Sequence, residues 1–188
     1  MNILIMKKLY ILLLFVFLII NITACKGNTS NNESTQSQEL YVDTLQSTVK
    51  IWANAYYKNN PDDYLKYSTN NAECKAILGV TDYDFEKQYS LTKSELSDYK
   101  AYMDEQYDFY YVEAEPSNYE IYDKSSEIFS KYIENVSKTY SNTDVIDAFA
   151  LVEIQILLEQ ASGSSAQRET QTSNIECMLI GDTWYVMV

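Results

Sequence analysis

The run Ala148-Phe149-Ala150-Leu151-Val152-Glu153-Ile154-Gln155-Ile156-Leu157-Leu158 alternates. Ala150, Val152, Ile154, Ile156 and Leu158 fall on one side, and Leu151, Glu153, Gln155 and Leu157 on the other. A period of two over this length predicts a long β-strand, because successive side chains of an extended chain point to opposite faces. Downstream, residues 161–168 read as a polar loop. A second strand follows over about residues 169–180, with Ile175, Cys177 and Leu179 on one face. Gly181-Asp182 is a two-residue hairpin turn. Trp184-Tyr185-Val186-Met187-Val188 is the last strand, with Trp184, Val186 and Val188 sharing a face. The C-terminal part is therefore predicted as an antiparallel meander of three to four strands.

Upstream of about Thr143 the period is helical. Leu45, Val49, Trp52 and Tyr56 fall at i, i+4, i+7 and i+11, one face of a helix that Asn59-Asn60-Pro61 ends. Asn60 as N-cap, Pro61 at the first position and Asp62-Asp63 behind it predict a fresh helix start. A short helix over residues 72–78 stops at Gly79. Thr81-Asp82-Tyr83-Asp84 and Thr92-Lys93-Ser94-Glu95 both read as capping boxes. After the second, Leu96, Tyr99, Met103 and Tyr110 keep helical spacing. Pro116 breaks that run. Ser117-Asn118-Tyr119-Glu120 opens another box, and Ile121, Ser125, Ile128, Tyr132 and Val136 form one stripe behind it. Helices first and antiparallel strands last give an α+β domain, the helical half packed on one face of the meander.

The ending Cys177-Met178-Leu179-Ile180-Gly181-Asp182-Thr183-Trp184-Tyr185-Val186 resembles the final hairpin of the nuclear transport factor 2-like, cystatin-like α+β superfamily. The resemblance covers about the last 40 residues. It implies a cone in which a curved meander wraps against helices. It also implies kinship with secreted bacterial lipoproteins that carry this shape.

The N-terminus supplies an address. Lys7-Lys8 precede the apolar run Leu9-Tyr10-Ile11-Leu12-Leu13-Leu14-Phe15-Val16-Phe17-Leu18-Ile19-Ile20. As a helix that run spans about 18 Å, short of the ~30 Å hydrocarbon core of a bilayer, so it reads as an export signal. Ile22-Thr23-Ala24-Cys25 closes it and resembles the lipobox of bacterial lipoproteins. The resemblance implies a diacylglycerol on the Cys25 thiol and cleavage before Cys25. The two acyl chains of that lipid suffice for stable anchoring. An ordinary signal peptide that happens to contain Cys25 is the other reading. The division is then residues 1–24 as signal peptide, 25–38 as lipidated cysteine and polar tether, and 39–188 as one extracytoplasmic α+β domain, held on the outer face of the cell membrane.

The chain has 188 residues, a net charge of −13, no histidine, 4 glycines and 18 tyrosines. Cleavage before Cys25 removes two lysines and leaves −15. Such a body does not wrap nucleic acid, whose affinity comes from Lys and Arg. Without histidine there is no Ser-His-Asp chemistry and no His-ligated metal. So few glycines leave no phosphate-cradling loop. No cofactor, metal or catalytic residue is assigned.

Cys74 and Cys177 are either a disulfide, which an exported protein permits, or two separate buried thiols. Trp52, Tyr56, Tyr57 and Tyr110 are candidate ligand-facing aromatics. Tyrosine offers large amphipathic contact area, and beside many carboxylates it suits sugars or a cationic peptide. The same residues also sit on core stripes. The reading is a binding or accessory module whose partner is an envelope protein or a glycan. Its alternatives are an enzyme with a nuclear transport factor 2-like pocket for a small molecule or glycan, and a structural subunit of an envelope assembly. A deep apolar pocket holding a carboxylate of raised pKa favours the enzyme. A filled cone with an aromatic patch favours binding.

Overall fold

In a computed structural model, four strands pair antiparallel in the order β1-β2-β3-β4. They are β1 (Phe109–Asp123), β2 (Ile146–Gln160), β3 (Arg168–Ile180) and β4 (Thr183–Val186). Five helices accompany them among the described residues: α1 (Ser34–Tyr57), α2 (Pro61–Lys66), α3 (Ala72–Ile77), α4 (Phe85–Gln106) and α5 (Glu127–Val136). The structure describes residues 34–106, 109–160 and 168–188, and Gln36–Val188 form one unit. The class is α+β, as the change of period predicts. The signal segment and Cys25 lie outside the described residues. Helix α1 reaches back to Ser34 and takes in the end of the segment read as tether.

The long strand follows its alternation. Ala148, Ala150, Val152, Ile154, Ile156 and Leu158 are buried together with Leu45, Val49 and Ala53 of α1 and with Trp184 and Val186 of β4. Leu45 and Val49 are fully buried, each worth roughly 1.5–3 kcal/mol relative to exposure. The Trp184 indole N–H donates to the Tyr41 carbonyl at 3.0 Å, pinning α1 to the last strand. Gly181 takes the positive φ (59°) that the hairpin turn requires.

The helices do not keep to one face, contrary to the sequence expectation. Phe149, Met178, Ile180 and Tyr185 make the opposite side of the sheet apolar too. That side is buried against Cys74, Leu78, Phe129, Val136 and Tyr140, which come from α3, α5 and the segments after them.

Three local expectations are corrected. Thr92-Lys93-Ser94-Glu95 is not a helix start. It lies inside α4, whose first turn is capped by Asp84 accepting from the Lys87 amide at 3.0 Å. Thr92 is buried, and its hydroxyl accepts from Gln88 one turn earlier at 3.3 Å. Residues 109–123, read as the end of one helix and the start of another, are the strand β1. Pro116 is accommodated there because β1 is an edge strand with a register shift between Pro116 and Asn118. Only residues 127–136 of the predicted stripe are helical, and Ser126 caps them through the Ile128 amide at 3.1 Å. The Asn60 cap, Pro61 start and Gly79 stop stand as read.

Candidate functional site

Helix α1 carries the site because one of its flanks is aromatic. Trp52, Tyr56 and Tyr57 leave α1 beside the large core, and α2, α4 and β1 each add a ring. Trp52 stacks on Tyr64 of α2 with centroids 5.1 Å apart, and on Tyr56 at 6.2 Å. Tyr99 of α4 lies 4.8 Å from Tyr56 and 6.1 Å from Tyr57. Tyr111 of β1 stacks on Tyr57 at 4.7 Å, with planes only 10° apart. The result is a continuous aromatic wall.

Three of the four aromatics named from sequence are thus brought together. They face one another and their neighbours rather than open solvent. The fourth, Tyr110, sits in β1, but its side chain lies outside the described residues. Tyr64, Tyr99 and Tyr111 were not singled out as ligand-facing. Tyr64 follows the Pro61-Asp62-Asp63 helix start, a signal that could have placed it opposite Trp52. Tyr111 belongs to a strand misread as helix.

Burial raises the hydroxyls of Tyr56, Tyr57, Tyr64 and Tyr111 above the ordinary tyrosine value. They remain neutral donors at any physiological pH. The wall is fastened at Asn54. Its amide donates to the Ala114 carbonyl at 3.1 Å, and its carbonyl oxygen accepts from the Tyr111 hydroxyl at 2.6 Å. Two buried side-chain polar atoms have no hydrogen-bond partner among the described residues: the Trp52 indole nitrogen and Asn59 Oδ1.

Two open grooves run along α1 next to the wall. One, about 410 Å³, is lined by Asp43, Gln46, Ser47, Lys50, Glu115 and Pro116. The other, about 390 Å³, shares Ser47 and Lys50 and continues past Asn54 and Lys58 to Asn60 and Asp63. Both are shallow, with polar and charged side chains at their rims. Lys50 is paired with Glu115, which raises the ammonium pKa, and the Lys58 ammonium stands 5.8 Å from the Tyr111 ring. The Glu176 carboxyl on β3 is raised by desolvation but lines neither groove.

Asp63, Asp147 and Glu153 each have a structural partner. Asp63 accepts from the Asn60 amide at 2.8 Å at the α2 start. Asp147 accepts from Lys124 at 2.8 Å and from the Gly181 amide at 3.1 Å, clasping the last hairpin. Glu153 accepts from the Ser117 hydroxyl at 2.6 Å.

Cys74 and Cys177 are both buried free thiols. Cys177 faces α1 beside Ala150, and Cys74 belongs to the core on the other side of the sheet, so the sheet separates them. Burial pushes the Cys74 thiol up to about 12 and raises that of Cys177 as well. No group of three or more metal-ligating side chains occurs among the described residues. Comparison with protein-family models, curated proteins and solved structures finds no match to this chain.

Proposed function

We propose that the chain is an exported lipoprotein, held on the outer face of the cell membrane by a diacylglycerol on Cys25. Its acidic α+β body acts there as a binding or accessory module. The observation that carries this is Ile22-Thr23-Ala24-Cys25 placed directly after Lys7-Lys8 and a twelve-residue apolar run. No helix among the described residues is long and apolar enough to cross a membrane. With −15 on the cleaved chain, the body is repelled by an anionic bilayer and stands off it. The binding part of the reading is supported by the aromatic wall and the shallow grooves beside it, both built around α1.

The finer shape belongs to the same proposal. The body is a cystatin-like, nuclear transport factor 2-like cone, with α1 as the helix lying across the meander. In support, α1 buries Leu45, Val49 and Ala53 against β2 and β4, and the chain closes on the Gly181-Asp182 hairpin.

Processing tests the anchor. Globomycin, or Cys25→Ser, should leave an unprocessed precursor in cells, and the mature wild-type protein should carry the mass of a diacylglycerol. Mature protein that starts elsewhere, or that starts at Cys25 without acyl mass, would refute the reading.

A further inference from the structure

We propose that Trp52, Tyr56, Tyr57, Tyr64 and Tyr111 form a closed binding site for a neutral or amino sugar unit of a glycan, and that α4 is its lid. The inference deepens the binding-module reading by naming the site and the ligand class.

The first argument is the unpaired hydrogen-bonding capacity. Buried polar atoms in folded proteins are almost always paired, because an orphan keeps its full desolvation penalty. Among the described residues the orphans are one donor, the Trp52 indole N–H, and one acceptor, Asn59 Oδ1. Both belong to the end of α1 and the turn after it, the same segment that carries the wall. Asn59 is held there in the left-handed region, at φ 55°. A cluster needed only for packing is served better by phenylalanine and leucine, which have nothing to orphan. A ligand with hydroxyls or an acetamido group would satisfy both atoms.

The second argument is the shape of the wall. Tyr99 of α4 covers Tyr56 at 4.8 Å and Tyr57 at 6.1 Å, so lifting α4 frees these two rings. Flat aromatic faces match the C–H faces of a pyranose, while indole and phenol polar atoms at the rim match its hydroxyls. The acidity of the body selects against anionic sugars and favours neutral or amino sugars.

The third argument is how lightly the wall is covered. Helix α4 has 22 residues, yet among those whose side chains are described only Thr92 and Leu96 are buried, while Leu91 and Tyr102 are 48% and 50% exposed. It meets the wall through Tyr99, and it meets α2 through the Tyr89 hydroxyl hydrogen-bonded to Asp62. Elements that bury so little open locally at low cost, well below global unfolding. Lifting α4 removes Tyr99 from Tyr56 and Tyr57 while Asn54 keeps α1 and β1 together. Because ligand binds only the lifted state, the apparent affinity scales with the fraction lifted.

The test is titration of the purified full chain in detergent with chitotetraose, read by the proton NMR signals of the sugar, a readout that no substitution in the chain removes. A saturable change at millimolar sugar is expected. Trp52→Phe keeps the stacking and removes the orphan donor, so binding should weaken roughly tenfold while the thermal midpoint stays or rises. A purely packing role predicts no change in binding. Tyr99→Ala loosens the lid and should tighten binding several-fold. Bridging Asp62→Cys and Tyr89→Cys with a short bis-maleimide should abolish binding, and the unbridged double variant should retain it.

The proposal is overturned by any of three outcomes. One is no saturable change with either wild type or Tyr99→Ala. The second is unaltered binding by Trp52→Phe. The third is unaltered binding by the bridged protein. The titration is independent of acylation: its failure leaves the Cys25 anchor standing, and an unacylated Cys25 leaves this site standing.

Discussion

Asn54→Ala should loosen α1 from the edge of the sheet. The wild-type side chain makes two bonds to β1: its amide donates to the Ala114 carbonyl at 3.1 Å, and its oxygen accepts from the Tyr111 hydroxyl at 2.6 Å. Each such bond is worth about 1 kcal/mol net, so the substitution should cost about 2 kcal/mol. The third bond, to the Lys50 carbonyl one turn back, is local and exposed, and adds little. For a domain of this size about 2 kcal/mol lowers the melting midpoint by roughly 4–8 °C. Urea unfolding followed by circular dichroism measures the loss directly. A double-mutant cycle with Tyr111→Phe then isolates one bond. The two single changes should sum to more than the double change by about 1 kcal/mol, since each alone breaks the same contact. Additive effects would mean that Asn54 and Tyr111 do not hold each other. A single-variant cost below about 0.5 kcal/mol would mean that α1 is held by apolar contact alone.

Gly79→Ala should be destabilising by at least about 1–2 kcal/mol, because Gly79 sits at φ 79° and a Cβ there would collide with the Ser141 hydroxyl. An unchanged melting midpoint would show that the turn after α3 relaxes freely. Cys74 and Cys177 should resist thiol reagents at mildly alkaline pH until the protein unfolds, since Cys74 is pushed up to about 12 and Cys177 is also raised. Rapid labelling of either, or a bridged peptide in a non-reducing digest, would contradict their burial on opposite sides of the sheet. The raised tyrosines set the alkaline limit. Tyr56, Tyr57, Tyr64 and Tyr132 hold their protons more tightly folded than unfolded. Their contribution is therefore complete below the ordinary value of 10.0 and is lost as pH climbs toward the folded values. Phenolate absorbance from these residues should rise only together with the loss of near-ultraviolet dichroism. Phenolate formation well before that loss would place them in solvent.

Legibility from sequence followed the range of the interactions. The β2 alternation, the Gly181-Asp182 turn and the Asn60-Pro61 helix start are local signals, and each stands in the structure. The capping box at Thr92 failed because its four-residue pattern says nothing about whether a helix is already running. Asp84 had started α4 two turns earlier. The one-sided packing failed because Phe149 and Met178 were not read as a second apolar face needing its own helices. The site was legible only in part, since Trp52, Tyr56 and Tyr57 lie on one helix while their partners come from three other elements.

The largest miss, β1, has a specific cause. Opposite the buried residues of β2 stand Tyr111, Ala114, Pro116, Tyr119 and Ile121, facing Leu158, Ile156, Ile154, Val152 and Ala150. Directly opposed residues share a face, so these five line the α1 side of the strand. Their spacing is three, two, three, two, because a register shift falls between Tyr111 and Glu113 and another between Pro116 and Asn118. Each bulge inserts one residue and flips the phase of the alternation. Two bulges thus break the period of two that marks a strand, and the proline hides the strand further. The same bulges serve the wall. With the alternation restarted after Tyr111, both Tyr111 and Ala114 reach the α1 side, where Tyr57 stacks on the first and Asn54 bonds to both. An unbroken alternation through residues 111–114 would put the two side chains on opposite faces, taking either Tyr111 from Tyr57 or Ala114 from the core under α1. The irregularity that hid the strand is what lets α1 and the sheet edge close the aromatic wall between them.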